Sequence, residues 1–162
     1  MAAWRMAMRG RYRPSDGSWL EPARAMWPHC RDLGVAAITY DSIQNDDFAR
    51  YTQQNPPGGW AQLASSRKAN LRRFVYEMRV GDVLYVKEGL EIVGKGIILS
   101  DYRFDLVGPI PGDLGTQWRH QRQVRWNRGF QAIRIQLGRT QRATIELLTE
   151  KGVARVEAMQ LR

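Results

Sequence analysis

The sequence predicts an α+β fold: a small β-barrel, closed or partly open, with flanking helices. Three observations carry that expectation. Lys68–Asp105 reads as a helix, a tight turn and a bent hairpin. Within it Leu71, Phe74, Val75 and Met78 recur at helical spacing and mark one buried face. Two apolar runs, Val83–Val86 and Ile92–Leu99, flank Glu88-Gly89, the pattern of a β-hairpin. Gly94 and Gly96 interrupt the second run, as glycines do at a bulge or a close backbone approach.

The chain, 162 residues long, has the size of one domain spanning 1–162 and is long enough to bury a core. Trp4, Met6 and Met8 alternate with Arg5, Ala7 and Arg9, so Trp4–Met8 is expected as the first strand. Arg9–Ser18 is a polar loop with Pro14 and Asp16-Gly17 as turn formers. Trp19–Gly34 holds short helical turns, with Pro28 arguing against one continuous helix. Val35–Tyr40 is expected as a buried strand ended by Asp41-Ser42, and Asp46-Asp47-Phe48 as the start of a short helix. Gln53–Gly59 is the clearest breaker and reads as an internal loop, with Trp60 at the start of the next helix.

That helix runs to Met78, and Gly81-Asp82 stops it, because Gly takes a left-handed cap without penalty. Lys68, Arg72 and Arg79 lie on a stripe beside its apolar face. Val107–Gly115 is a second irregular loop. Trp118–Trp126 is expected as a strand, with Val124 and Trp126 on one face and Gln123 and Arg125 on the other. Gln131–Leu137 and Thr144–Leu148 read as further strands, and Thr149–Leu161 as a closing helix with Thr149 as N-cap.

The 25 Lys and Arg residues outnumber 16 Asp and Glu, for a net charge of +9. Such a balance favours a polyanionic partner, most often nucleic acid. Most of the charge is Arg, which forks onto phosphate and stacks on bases. Arg9, Arg11 and Arg13 surround Tyr12, an interleaving that suits a loop facing nucleic acid. A single cysteine, Cys30, permits no intrachain disulfide and suggests a reducing compartment. No apolar run approaches membrane-spanning length, and the N-terminus lacks a signal-peptide core. The expectation is a cytoplasmic protein without a membrane partner.

Catalytic patterns are missing. His29, Cys30 and His120 form no metal-ligand spacing. No phosphate-cradling glycine motif occurs, and the carboxylates are scattered. The sequence points to a binding protein without a cofactor rather than an enzyme. What remains is positive charge plus aromatics, six Trp and six Tyr. Trp4 and Trp126 sit at strand spacing and read as core. Trp19, Tyr40 and Trp60 sit beside loops, where packing and ligand contact are both open to them.

The helix followed by Met78-Arg79-Val80-Gly81-Asp82-Val83-Leu84-Tyr85-Val86, then Ile92–Tyr102 with its Gly-x-Gly, then the Arg-rich Arg122–Trp126, resembles the EVE branch of the PUA-like fold. That branch is related to YTH and ASCH domains. The resemblance runs from about Trp4 to Leu148 and implies a barrel that holds one extruded base in an aromatic pocket. By that resemblance Trp19, Tyr40 and Trp60 lie in the regions lining the pocket, and Asp41 and Asp101 are candidates to accept from an exocyclic amine. Arg9, Arg11, Arg13, Lys68, Arg72, Arg119, Arg122 and Arg125 are the candidate phosphate contacts. The polar motif that follows the Trp in stand-alone EVE proteins is replaced here by Ala61-Gln62-Leu63-Ala64.

The implied function is a reader of a modified base, cytosine or adenine, in double-stranded DNA. Such domains serve modification-dependent restriction, with a nuclease domain or subunit as partner. Three other readings stand beside it. They are an RNA-modification reader, a nucleotide-acting enzyme of ASCH-like type, and an interaction module whose charge confers solubility.

Overall fold

A computed structural model describes residues 1–10, 24–108, 118–135 and 144–161. Ten strands and three α-helices occur among them. In chain order these are β1 (Ala3–Ala7), β2 (Arg9–Gly10), β3 (Arg24–Ala25), α1 (Trp27–Leu33) and β4 (Val35–Ile38). Then come α2 (Ser65–Arg72), β5 (Val83–Glu88), β6 (Glu91–Ile98), β7 (Arg103–Phe104) and β8 (His120–Trp126). The last are β9 (Ile133–Arg134), β10 (Ile145–Leu147) and α3 (Glu150–Gln160).

The main sheet has the order β10-β1-β5-β6-β8-β4, with β7 on β8 and β9 on β6. Only β1 and β5 run parallel; every other pair in it is antiparallel. The sheet curls into an open half-barrel, so the α+β class and the partly open barrel are both observed. β2 and β3 form a separate ribbon.

Alternation explains which side each strand buries. Trp4 and Met6 on β1 and Leu84 and Val86 on β5 enter the main core, with Phe74, Ile98, Val124 and Trp126. Tyr85 points the other way and joins Ile92, Ile133 and Val156 beneath α3. The Tyr85 hydroxyl and Lys95 Nζ both donate to Glu157 Oε1 at 2.5 Å, tying α3 to the outer face. Thr149 caps α3, its hydroxyl accepting from Gly152 N at 3.1 Å.

The hairpin bends where the glycines predicted. Val86 pairs with Gly94 but Lys87 with Ile92, so Val93 is the extra residue of a bulge. Both glycines lie under tryptophans. A Cβ on Gly94 would sit 2.4 Å from Trp27 Cζ2, and one on Gly96 would sit 2.6 Å from Trp126 Cε3. The two indoles meet edge to face at 4.7 Å. Pro28 is tolerated in the first turn of α1, where its missing N–H costs nothing.

Two expectations need correction. The helix begins at Ser65 rather than at Trp60, and it ends at Met78 as expected but without Gly81 as its cap. After α2 the chain widens into a π-helical turn, Arg73–Glu77, closed by Met78 N donating to Arg73 O at 2.8 Å. Gly81, at φ 94°, instead serves the separate turn closed by Asp82 N donating to Arg79 O. The buried Asp82 carboxylate then accepts from Trp4 Nε1 at 2.9 Å, and from Ala2 N and Arg79 N at 3.0 Å each. Burial opposes its ionisation, but these donors outweigh that cost and hold its pKa below the usual carboxylate value.

A Cβ at Gly81 meets nothing within 4 Å, so a substitution there is penalised by its backbone alone. Gly81→Val is therefore expected to lower stability by about 1–3 kcal/mol in urea unfolding, with the slope unchanged. A wild-type midpoint would show that the turn does not need a left-handed residue.

Candidate functional site

A cavity of about 200 Å³ opens between the π-helical turn and the loop that the sequence marks as a breaker. Phe48, Gln53, Pro56, Trp60, Arg72 and Tyr76 line it. Its walls come from three short pieces of chain, each fixed by a local device.

Phe48 begins a 3₁₀ turn capped by Asp47, whose carboxylate accepts from Ala49 N at 2.9 Å. Its ring is 2% exposed and forms the floor. Trp60 lies in a second 3₁₀ turn, Gly58–Gln62. Gly59 sets its position, because a Cβ there would lie 1.8 Å from Ser42 O. Ser42 Oγ donates to Gly59 O at 2.8 Å and seals that contact. Trp60 thus meets the Phe48 ring edge-on at 6.0 Å. Arg72 ends α2, and Tyr76 sits four residues on, within the π-helical turn.

Behind the floor lies a buried polar chain. Tyr102 Oη accepts from Phe48 N at 3.2 Å and meets His120 Nδ1 at 2.7 Å. His120 Nε2 meets Ile43 O at 2.8 Å. A carbonyl can only accept, so Nε2 carries the proton and Nδ1 accepts from the tyrosine hydroxyl. Burial pushes the His120 pKa down to about 4, so the ring is neutral at ordinary pH.

The site residues expected from sequence divide sharply. Trp60 and Arg72 line the cavity. Tyr40 does not. Its ring packs against the main core, Arg67 lies over it at 5.2 Å, and its hydroxyl accepts from Asn70 Nδ2 at 3.1 Å. Asp41 is exposed on the 3₁₀ turn Asp41–Ile43, and Asp101 is exposed beyond β6. Neither carboxylate lines the cavity. Trp19, Arg11 and Arg13 lie outside the described residues, and Arg9 is described only as backbone of β2.

Among the expected phosphate contacts, Arg125 is exposed on β8, and Lys68 is half-buried on α2. Arg119 is half-buried, donates to Asn45 Oδ1 at 2.5 Å and lies 6.0 Å over Phe104. Arg122 is a correction. It is 2% exposed, and its guanidinium donates to Phe74 O (2.7 Å), Ser100 O (3.0 Å) and Val75 O (3.1 Å). Those carbonyls consume the fork, so it faces no phosphate. The strand alternation held the warning, since Arg122 shares the face of Val124 and Trp126.

Phe48, Gln53, Pro56 and Tyr76 were not singled out as site residues. Tyr76 had a usable signal, being one helical turn from Arg72. Gln53 and Pro56 belong to the breaker loop just before Trp60. Among the described residues no group of three or more His, Cys, Asp or Glu could hold a metal ion. The Cys30 thiol is buried, which pushes its pKa up to about 12 and leaves it unreactive. Among the described residues no helix is long and apolar enough to cross a membrane.

A family model described as "Domain of unknown function (DUF8426)" matches residues 20–149. Tight junction protein ZO-3 of Canis lupus familiaris is 24% identical over 122 residues, which is 71% of this chain. The aligned stretch spans 13% of that protein's length.

The neutral His120 gives a pH test. Its folded pKa of about 4 lies below the ordinary 6.5, so the unfolded chain takes up the proton first. Stability is complete above about 6.5 and falls as pH drops towards about 4, by roughly 3 kcal/mol in all. Urea unfolding of wild type and His120→Gln over that range should show a steeper loss in wild type. Parallel pH profiles would mean that His120 is solvated in the folded protein.

Proposed function

We propose that this chain, which belongs to the DUF8426 family of domains of unknown function, binds nucleic acid and takes one extruded base into the pocket of Trp60, Phe48 and Tyr76. The observation that carries the reading is the pocket itself: aromatic surfaces on several sides, one guanidinium, and no carboxylate. A cavity of about 200 Å³ falls below the roughly 300–1,000 Å³ of drug-sized ligand sites and suits a single flat ring system. The net charge of +9 supplies the attraction to a polyanion that carries such rings.

The partly open, curled barrel supports the PUA-like, EVE-type resemblance, and with it the reading of a modified base in double-stranded DNA. The energetics fit that mode. Extruding a base costs a few kcal/mol, least for a base whose pairing is already weakened. Stacking returns roughly 1–3 kcal/mol, and phosphate contacts supply the rest. Arg125, Lys68 and Arg119 remain candidates for those contacts. A cytosine or adenine amine no longer has Asp41 or Asp101 to receive it, so the identity of the base has to be argued from the pocket.

Trp60→Ala is expected to cost about 1–3 kcal/mol of binding to a duplex carrying a modified or unopposed base. A fully paired, unmodified duplex should lose little, because it is held by its phosphates. The ratio between the two should fall towards one while the salt slope of the affinity stays unchanged. A folded Trp60→Ala protein that keeps full discrimination would exclude Trp60 from base contact. Affinity independent of salt would exclude nucleic acid as the partner.

A further inference from the structure

Three polar side chains face the cavity without a hydrogen bond or ion pair among the described residues: the Arg72 guanidinium, the Tyr76 hydroxyl and the Gln53 amide. The carboxylate beside Phe48 is occupied. Asp47 caps the turn of Phe48 and lies 3.9 Å from Arg50 Nε. The aromatic pocket therefore carries an unspent set of recognition groups, and donors dominate it. Arg has five N–H donors and no acceptor. The tyrosine hydroxyl donates or accepts, and the glutamine amide does both.

We infer that the pocket selects a base whose edge carries two adjacent acceptors, and that its preferred occupant is guanine, read by Arg72. The inference rests on the base-binding reading above and deepens it. A guanidinium fork matches O6 and N7 of guanine, the pairing most used to specify that base. Adenine turns its exocyclic amine towards the same edge, which sets donor against donor, and thymine separates its two carbonyls by an N–H. Gln53 alone would suit adenine, but its contacts are neutral, and the charge-assisted pair is about twice as strong. The Gln53 carbonyl is then free to accept from the guanine N–H groups. Arg72 thereby moves from the phosphate contacts expected of it to the base edge.

The test uses short duplexes in which one base faces an abasic site, so that extrusion is cheap for every base. The base is guanine, 7-deazaguanine, adenine, cytosine or thymine. The proteins are wild type, Arg72→Lys and Trp60→Ala, each checked for an unchanged melting temperature. Wild type should prefer guanine over adenine and thymine by roughly tenfold or more. 7-Deazaguanine, which lacks N7, should lose most of that advantage. Arg72→Lys keeps the charge and the salt slope but lacks the fork, so its preference should shrink towards one.

Wild-type affinity for adenine or thymine equal to that for guanine would overturn the inference. So would a guanine preference that survives in Arg72→Lys. The Trp60→Ala arm separates the two levels of the argument. If it binds every duplex as wild type does, the base-binding reading fails and this inference with it. If it loses affinity but wild type shows no guanine preference, only this inference fails.

Discussion

The interaction on which the pocket depends is the buried fork of Arg122. A π-helical turn leaves carbonyls that the next turn of an α-helix would have used. Here two of them, Phe74 O and Val75 O, are taken by Arg122 from β8, and Ser100 O from the bend after β6 is taken as well. Each of those carbonyls, if buried and unpaired, would cost about 1–3 kcal/mol. One guanidinium thus satisfies three and fastens the π-helical turn to the sheet. That turn carries Phe74 inward, to the core, and Tyr76 outward, to the cavity. The burial of the charge lowers the Arg122 pKa through desolvation. The group stays a cation in any case, since arginine does not deprotonate in proteins.

The other wall is built on close packing rather than charge. Gly59 lets the breaker loop lie against Ser42 O, and Phe48 is gripped from behind by Tyr102 and the neutral His120. Both walls are therefore made rigid by groups that do not face the cavity. The groups that do face it, Arg72, Tyr76 and Gln53, keep their hydrogen-bonding capacity. Arg122, 2% exposed, thus supplies structure from within the core rather than charge at the surface.

Much of the fold was legible because it follows period and punctuation. Trp4, Met6 and Met8 gave the first strand, Gly94 and Gly96 the bend of the hairpin, and Thr149 the cap of α3. The site was legible only in part. Trp60, after the breaker loop, was expected at a pocket and lines the cavity, whereas Arg72, which also lines it, was expected only as a phosphate contact. The remainder was hidden for physical reasons. The π-helical turn that aims Tyr76 has no propensity signature, and it is stabilised by a residue 48 positions from Phe74 in the chain. Tyr40 looked like a loop-edge aromatic, yet Asn70, far along the chain, claims its hydroxyl. Asp41 and Asp101 were expected by resemblance, and their distance from the cavity followed from how the turns pack.

The central claim is that a base leaves its stack and lies against Trp60 and Tyr76. Photocrosslinking reads this contact directly. A duplex carrying 5-iodouracil opposite an abasic site is irradiated with the protein, and the modified peptide is identified by mass spectrometry. The account predicts adducts on the peptides containing Trp60 or Tyr76, abolished by Trp60→Ala and Tyr76→Ala together. Adducts confined to other parts of the chain, at concentrations where the duplex is fully bound, would contradict it.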